Sequence, residues 1–182
     1  MLKISSAVVI NQPSVLLIDA ADPVLLQLAG QADLPVVGLD LAVHPLEAMA
    51  AALLRRRQSS VPVRTLHLIA HGRPGAFRIG NTWIDAEALK AHARELAQWG
   101  VETIALWSCR VGADAGFVAL LEELTGARVL ASADWLGRDD DGSEQLQLGD
   151  WQLSDLVDPS AWPAQFRLED FDDELIGSVS ND

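Results

Sequence analysis

Five short aliphatic runs recur along the chain, separated by longer amphipathic stretches. The runs are continuous and do not alternate with polar residues, which is typical of parallel strands that are covered on both faces. They lie at residues 15–19, 34–40, 65–70, 103–107 and 127–132. Because the runs alternate with helical patterns, we expect an α/β fold with a mainly parallel central sheet, helices on both faces and right-handed crossovers.

The stretches between the runs carry signals for the ends of helices. After the first run, Asp22 is placed to cap a helix that starts with Pro23 and stops at Gly30. Three further helices are predicted over residues 44–58, 85–100 and 114–126.

The connection after the third run is too long for a tight turn and has strand-like pieces of its own. The segments "AFRIG" and "TWI" within residues 72–84 are predicted to pair as a small hairpin over the end of the sheet. Loops of this kind often carry function.

At 182 residues and 49% hydrophobic, the chain is the size of one compact domain. We predict an N-terminal lead over 1–13, an α/β domain over 14–155 and an acidic tail or linker over 156–182. No stretch approaches the roughly 20 apolar residues of a membrane span, and the N-terminus lacks the pattern of a signal peptide. We therefore expect a soluble domain without membrane insertion, either cytoplasmic or exported by a signal outside this sequence.

Acidic residues outnumber basic ones by 26 to 13, which gives a net charge of −13. A surface of this charge repels nucleic acid and anionic membranes, so the expected partner is a protein or peptide, and a basic one is favoured. Cys109 is the single cysteine, which excludes an intrachain disulfide and a four-thiolate zinc site.

Two pairs of residues follow consecutive predicted strands. His71 and Gly72 follow the third run, and Ser108 and Cys109 follow the fourth. Ligand sites of open parallel sheets form at the carboxyl ends of strands, so neighbouring strands would bring the imidazole and the thiol to one edge. A thiolate is a nucleophile, an imidazole can take its proton, and backbone amides near Gly72 and Cys109 can serve as an oxyanion hole.

Simpler interpretations stand beside this one. A lone cysteine after an apolar strand is usually a small core residue, and a lone histidine there is usually hydrogen-bonded structure. His67 lies four positions before His71 and invites a metal interpretation, but no third ligand has suitable spacing. A phosphatase loop would need arginine where Ala115 stands, and nucleotide-binding fingerprints are missing. We therefore expect no metal and no cofactor.

The blocks "LHLIAHG" and "IALWSC" resemble those of the caspase-like cysteine peptidases. More closely, residues 67–89, 107–137 and 149–153 resemble a bacterial family of unknown function, number 4347, which often lies near the N-terminus of large repeat-bearing surface or secreted proteins. The resemblance covers about residues 14–155. It implies a caspase-like three-layer sandwich with His71 as general base, Cys109 as nucleophile and oxyanion donors on the backbone of Gly72 and Cys109. The family carries no settled activity.

The residues before the cysteine depart from the peptidase pattern. Many of these peptidases have an acidic residue or glutamine followed by alanine there, whereas this chain has Trp107 and Ser108. We expect both to border the substrate pocket, where the indole alters or blocks it. Asp134, after the fifth run, is the candidate wall of that pocket, and its carboxylate would favour arginine or lysine in the substrate.

Two functions are compatible with these patterns. The first is a caspase-like cysteine endopeptidase that processes itself or cleaves a partner after a basic residue. The alternative is a catalytically inactive recognition or packing module of a larger adhesin-type protein. In either case, apolar residues within the acidic stretch 156–182 suggest an intramolecular contact of the tail with the site.

Overall fold

The computed structural model describes residues 14–19, 21–23, 35–39, 41–59 and 62–133. The predicted lead over 1–13, the tail over 156–182 and Asp134 lie outside the described residues. The proposed domain boundaries and the tail contact therefore stay predictions.

The described residues form eight strands and four helices. The strands are β1 (Ser14–Asp19), β2 (Val36–Leu39), β3 (Thr65–Ile69), β4 (His71–Arg73), β5 (Ala76–Ile79), β6 (Thr82–Ile84), β7 (Thr103–Trp107) and β8 (Arg128–Ala131). The helices are α1 (Pro45–Gln58), α2 (Ala86–Ala91), α3 (Ala93–Leu96) and α4 (Ala115–Thr125), and one 3-10 turn covers Val111–Ala113.

The central sheet is parallel, with the strand order β2-β1-β3-β7-β8 over the described residues. Each predicted aliphatic run overlaps one of these strands, and β1 begins one residue before its run. In the middle of the sheet, Leu66 of β3 lies between Val15 of β1 and Ile104 of β7. The predicted α/β class with a mainly parallel central sheet is confirmed.

Both faces of this sheet are buried. One face packs against all four helices in a single core; its strand residues are Val15, Leu17, Leu66, Leu68, Ile104, Leu106 and Val129. The opposite face alternates with it; its residues are Leu16, Ile18, His67, Ile69, Ala105, Trp107 and Leu130, all of them buried. Burial on both faces explains why the strands read as continuous apolar runs, and it is consistent with a three-layer sandwich.

The strand order creates a switch point between β1 and β3. The chain leaves β1 toward β2 on one side and leaves β3 toward β7 on the other. Connections that diverge in this way open a crevice at the carboxyl ends of the two strands, where open α/β sheets bind ligands.

The helices mostly begin and end where the sequence predicts. The Asp114 carboxylate accepts a hydrogen bond from the backbone N–H of Phe117 at the start of α4, which ends at Gly126 with φ of 70°. The helix predicted over 85–100 is instead two short helices, α2 and α3, which meet at His92. The His92 ring bonds the Ala88 carbonyl, which competes with the helical ladder.

Within the described residues, no helix is both long enough and apolar enough to cross a bilayer.

A small antiparallel sheet of β4, β5 and β6 follows β3. The predicted hairpin is confirmed as β5 and β6, and β4 adds a third strand that begins at His71. Phe77 and Ile84 pair across this sheet and enter the core, where Phe77 meets Phe117 edge to face with ring centroids 6.2 Å apart. This anchorage fixes the strand that carries His71.

Candidate active site

His71 lies just after the carboxyl end of β3, at the switch point. The last pair of the central ladder is Ile69 with Trp107, and the Ala70 N–H donates to the Trp107 carbonyl at 3.2 Å. The chain then leaves the central sheet, so His71 stands at the junction of the two sheets. It is 9% exposed, and its Nε2 lies 3.2 Å from Oδ2 of Asp22.

Asp22 reaches His71 because the chain turns sharply after β1. Asp19, the last residue of β1, accepts hydrogen bonds from the N–H groups of Ala21 at 2.9 Å and Gly80 at 3.0 Å. The Asp19 carboxylate thus bonds both the turn after β1 and the bend between β5 and β6. Asp19 therefore positions the segment that carries Asp22, whose side chain is 21% exposed.

The hydrogen bond to Asp22 determines which nitrogen of the His71 ring donates and which can accept. A carboxylate only accepts hydrogen bonds, so Nε2 carries the hydrogen of a neutral ring and Nδ1 keeps its lone pair. Nδ1 is buried and has no hydrogen-bond partner. A buried polar atom without a hydrogen-bond partner reduces the stability of the folded state by about 1–3 kcal/mol. Native structures therefore retain few such atoms.

The segments after β3 and β7 are in direct contact. A Cβ placed on Gly72 would lie 2.6 Å from the Cys109 carbonyl oxygen and 2.7 Å from the Ser108 Cβ. Only glycine fits at such a separation. The predicted convergence of the His71-Gly72 and Ser108-Cys109 segments at one sheet edge is thus present in the backbone.

The chain turns sharply after Cys109. Arg110 adopts a left-handed conformation with φ of 59° and ψ of 7°, unfavourable for a residue with a side chain. The following 3-10 turn is held by a hydrogen bond from the Gly112 N–H to the Ser132 carbonyl at 2.8 Å. Cys109 itself is 2% exposed, so its sulfur is covered in this structure.

The family comparison applies to this whole arrangement. A family model described as "Domain of unknown function (DUF4347)" matches residues 15–172. The chain belongs to this family. No curated protein and no solved structure matches it. The matched range includes Asp22, His71, Cys109 and Asp134. The family description assigns no activity, so the function of this DUF4347 domain depends on the chemistry of its own site.

The predicted pocket residues have different surroundings in the DUF4347 domain. Trp107 is 4% exposed and lies on the face of the central sheet that carries His67, where its indole N–H donates to Nδ1 of His67 at 3.1 Å. Ser108 is 1% exposed, and its Oγ, like Nδ1 of His71, is buried without a hydrogen-bond partner. Asp134 lies outside the described residues, and the roles of Trp107, Ser108 and Asp134 in substrate binding stay predictions.

His67 has a structural role within the central sheet. Burial lowers its pKa to about 4, which keeps the ring neutral and able to accept the indole hydrogen bond. In the described part of the DUF4347 domain, no group of three or more His, Cys, Asp or Glu side chains is arranged to hold a metal ion.

Sequence reasoning did not identify Asp22 as a candidate site residue. An aspartate before proline after a strand is a strong helix-cap signal, so Asp22 was interpreted only as a helix cap. The clue in the sequence was its position at the end of an apolar run, like His71 and Cys109. The strand order, which sequence does not specify, is what places it beside His71.

Proposed function

We propose that this DUF4347 domain is a caspase-like cysteine endopeptidase in which Cys109 is the nucleophile, His71 the general base and Asp22 the residue that orients His71. The observation that carries the proposal is the state of the His71 ring. Its Nε2 is held by a carboxylate and its buried Nδ1 has no partner, while its backbone neighbour Gly72 touches the turn that contains Cys109.

The reaction follows from these groups. Cys109 gives its thiol proton to Nδ1 of His71, and the thiolate attacks the carbonyl carbon of a peptide bond. The proton on Nδ1 then passes to the leaving nitrogen, so the C–N bond breaks and a thioester remains on the sulfur. Water gives a proton to Nδ1 and attacks the thioester carbon; the carboxylic acid leaves and the proton returns to the sulfur. Backbone N–H groups of Gly72 and Cys109 are the proposed donors to the oxyanion.

The proposed substrate is a polypeptide, either a partner or this protein itself. A net charge of −13 favours basic peptides over nucleic acid. Cleavage after arginine or lysine rests on Asp134 alone, as a proposal from the sequence.

Substrate access requires a local rearrangement, because the Cys109 sulfur is covered. A small thiol reagent should therefore react faster than a bulky one of equal intrinsic reactivity.

Labelling of Cys109 tests the dyad. The assay incubates the folded protein with iodoacetamide and with peptidyl acyloxymethyl ketones, and it measures the rate of modification by mass spectrometry. His71→Ala should slow labelling by about 10²-fold or more, since a positioned base contributes 10²–10⁴. Added imidazole should restore part of the rate. Asp22→Asn should slow it by about 10-fold, because the carboxylate no longer orients the ring.

His92→Gln is the matched control, because it removes an imidazole from the junction of α2 and α3 and should leave the rate unchanged. Equal labelling of wild type and His71→Ala, or no labelling of wild type, refutes the dyad.

The burial of Cys109 favours a second candidate function, a catalytically inactive recognition or packing module. In that case Cys109 is a core residue, and it reacts with iodoacetamide only as fast as the domain unfolds. Cys109→Ala would then retain all binding to other segments of the full-length protein, measured by pull-down with each segment. A burst of labelling in the folded state excludes this candidate.

A further inference from the structure

The small sheet carries a basic and aromatic face beside His71. Its registers pair His71 with Arg78 and Arg78 with Trp83, and Arg73 lies two residues after His71. Partners across an antiparallel ladder point to the same side, as do alternate residues of one strand. His71, Arg73, Arg78 and Trp83 therefore share one face, which we call the arginine face, while the opposite face enters the core.

The indole ring of Trp83 forms cation–π contacts with both arginines. The Arg73 Cζ lies 4.2 Å from the indole centroid, and the Arg78 Cζ lies 5.8 Å from it. Cation–π contact orients a guanidinium and leaves its N–H groups free for an anion. Arg73 is exposed, and Arg78 and Trp83 are half-buried, so the row leads from the buried His71 ring out to the surface.

Within the described residues, Arg73 and Arg78 form no ion pair with a carboxylate. The ion pairs of the described residues include Arg64 with Glu102, His71 with Asp22, Lys90 with Glu87 and His92 with Glu47. Neither Arg73 nor Arg78 is among them. Two guanidinium groups oriented by one indole can together bind a carboxylate through charge-assisted hydrogen bonds.

We propose that Arg73 and Arg78, oriented by Trp83, bind an acidic side chain of the substrate on the C-terminal side of the scissile bond. This inference rests on the proposed function. His71 gives its proton to the leaving nitrogen, so the surface beyond His71 faces the leaving half of the peptide. Directly paired residues in antiparallel strands lie roughly 4.5–5.5 Å apart at Cα, and an extended peptide advances about 3.3 Å per residue. The acidic residue is therefore one of the first three after the bond.

Paired peptides test this subsite. Fluorogenic peptides carry either Glu or its isosteric amide Gln at each of the three positions after the scissile bond, and kcat/KM is measured for both members of each pair. Wild type should prefer Glu by about 10-fold or more at one position, as for a charge-assisted hydrogen bond. The Arg73→Gln/Arg78→Gln double variant should cleave the two members equally. Arg94→Gln, an exposed arginine on α3, should keep the preference.

The outcomes separate this inference from the peptidase proposal. Cleavage without an acidic preference, or a preference that survives the double variant, overturns the subsite and leaves the peptidase standing. If no peptide is cleaved, the peptidase proposal fails, and binding of the same peptides to Cys109→Ala decides the subsite by fluorescence anisotropy. A preference for the Glu peptides that the double variant abolishes supports an acid-binding face, and equal binding overturns it.

Discussion

The hydrogen bond between Trp107 and His67 makes a specific prediction about acid stability. His67 is buried between neighbouring strands, and burial holds its pKa at about 4, compared with 6.5 for the free side chain. In the unfolded chain the ring takes up a proton as the pH falls below 6.5, whereas the folded protein resists this until pH 4. Protons therefore bind the unfolded state preferentially, and stability falls as the pH drops from about 7 to 4.

The size of the effect follows from the two pKa values. Because a tenfold change in an equilibrium constant corresponds to about 1.4 kcal/mol, lowering the pKa from 6.5 to about 4 gives a limit of about 3 kcal/mol. The same linkage gives about 1 kcal/mol lost at pH 5.5 and about 2–3 kcal/mol at pH 4.5. These are large fractions of the 5–15 kcal/mol that stabilises an ordinary domain.

The matched variant is His67→Asn, whose side-chain oxygen can still accept from the indole but does not titrate. Urea unfolding, followed by tryptophan fluorescence at pH 7.5, 6.5, 5.5 and 4.5, gives the free energy of unfolding of both proteins. The variant carries a constant loss for its smaller volume, and the difference in the free energy of unfolding between the proteins should change by about 2–3 kcal/mol between pH 7.5 and pH 4.5. Carboxylates titrate alike in both proteins and cancel. A constant difference across this range, or a His67 NMR titration near 6.5, refutes the reasoning.

Two further substitutions test the packing around the site. Gly72→Ala should destabilise the fold by about 1–3 kcal/mol in urea, because its Cβ would meet a backbone carbonyl oxygen at 2.6 Å. Gly116→Ala within α4 is its control, and equal effects of the two would contradict the close contact. Asp19→Asn should lower the free energy of unfolding by about 1–3 kcal/mol. The NH₂ group of the amide would face one of the two backbone N–H groups that Asp19 binds, and it could not accept that hydrogen bond. Asp114→Asn should be nearly neutral in thermal unfolding, since both residues cap helices well, and a similar loss would refute this account of Asp19.

Local features of the fold were predictable because they depend on neighbours in sequence. Asp114 and Gly126 bound α4 as predicted, since a cap and a left-handed stop involve only a few adjacent residues. The break at His92 was not predicted. It depends on a ring that bonds the Ala88 carbonyl and stacks on His44, with centroids 3.8 Å apart, and His44 lies 48 residues earlier.

The candidate site was predictable only in part. His71 and Cys109 were proposed as a pair because each follows an apolar run, and parallel strands bring such ends to one edge. Whether the two residues act together stays a prediction. Asp22 could not be assigned, because its meeting with His71 depends on β1 and β3 being neighbours.

By itself, the sequence determined the alternation of buried strands and amphipathic helices, because periodicity and end signals are set by neighbouring residues. It also placed chemically active side chains at strand ends. The tertiary structure alone decided which strand ends meet, which nitrogen of His71 is bound by Asp22, and that two arginines contact the ring of Trp83 beside it. Those facts depend on contacts between residues far apart in the chain, and such contacts exist only once the strands have their order and register.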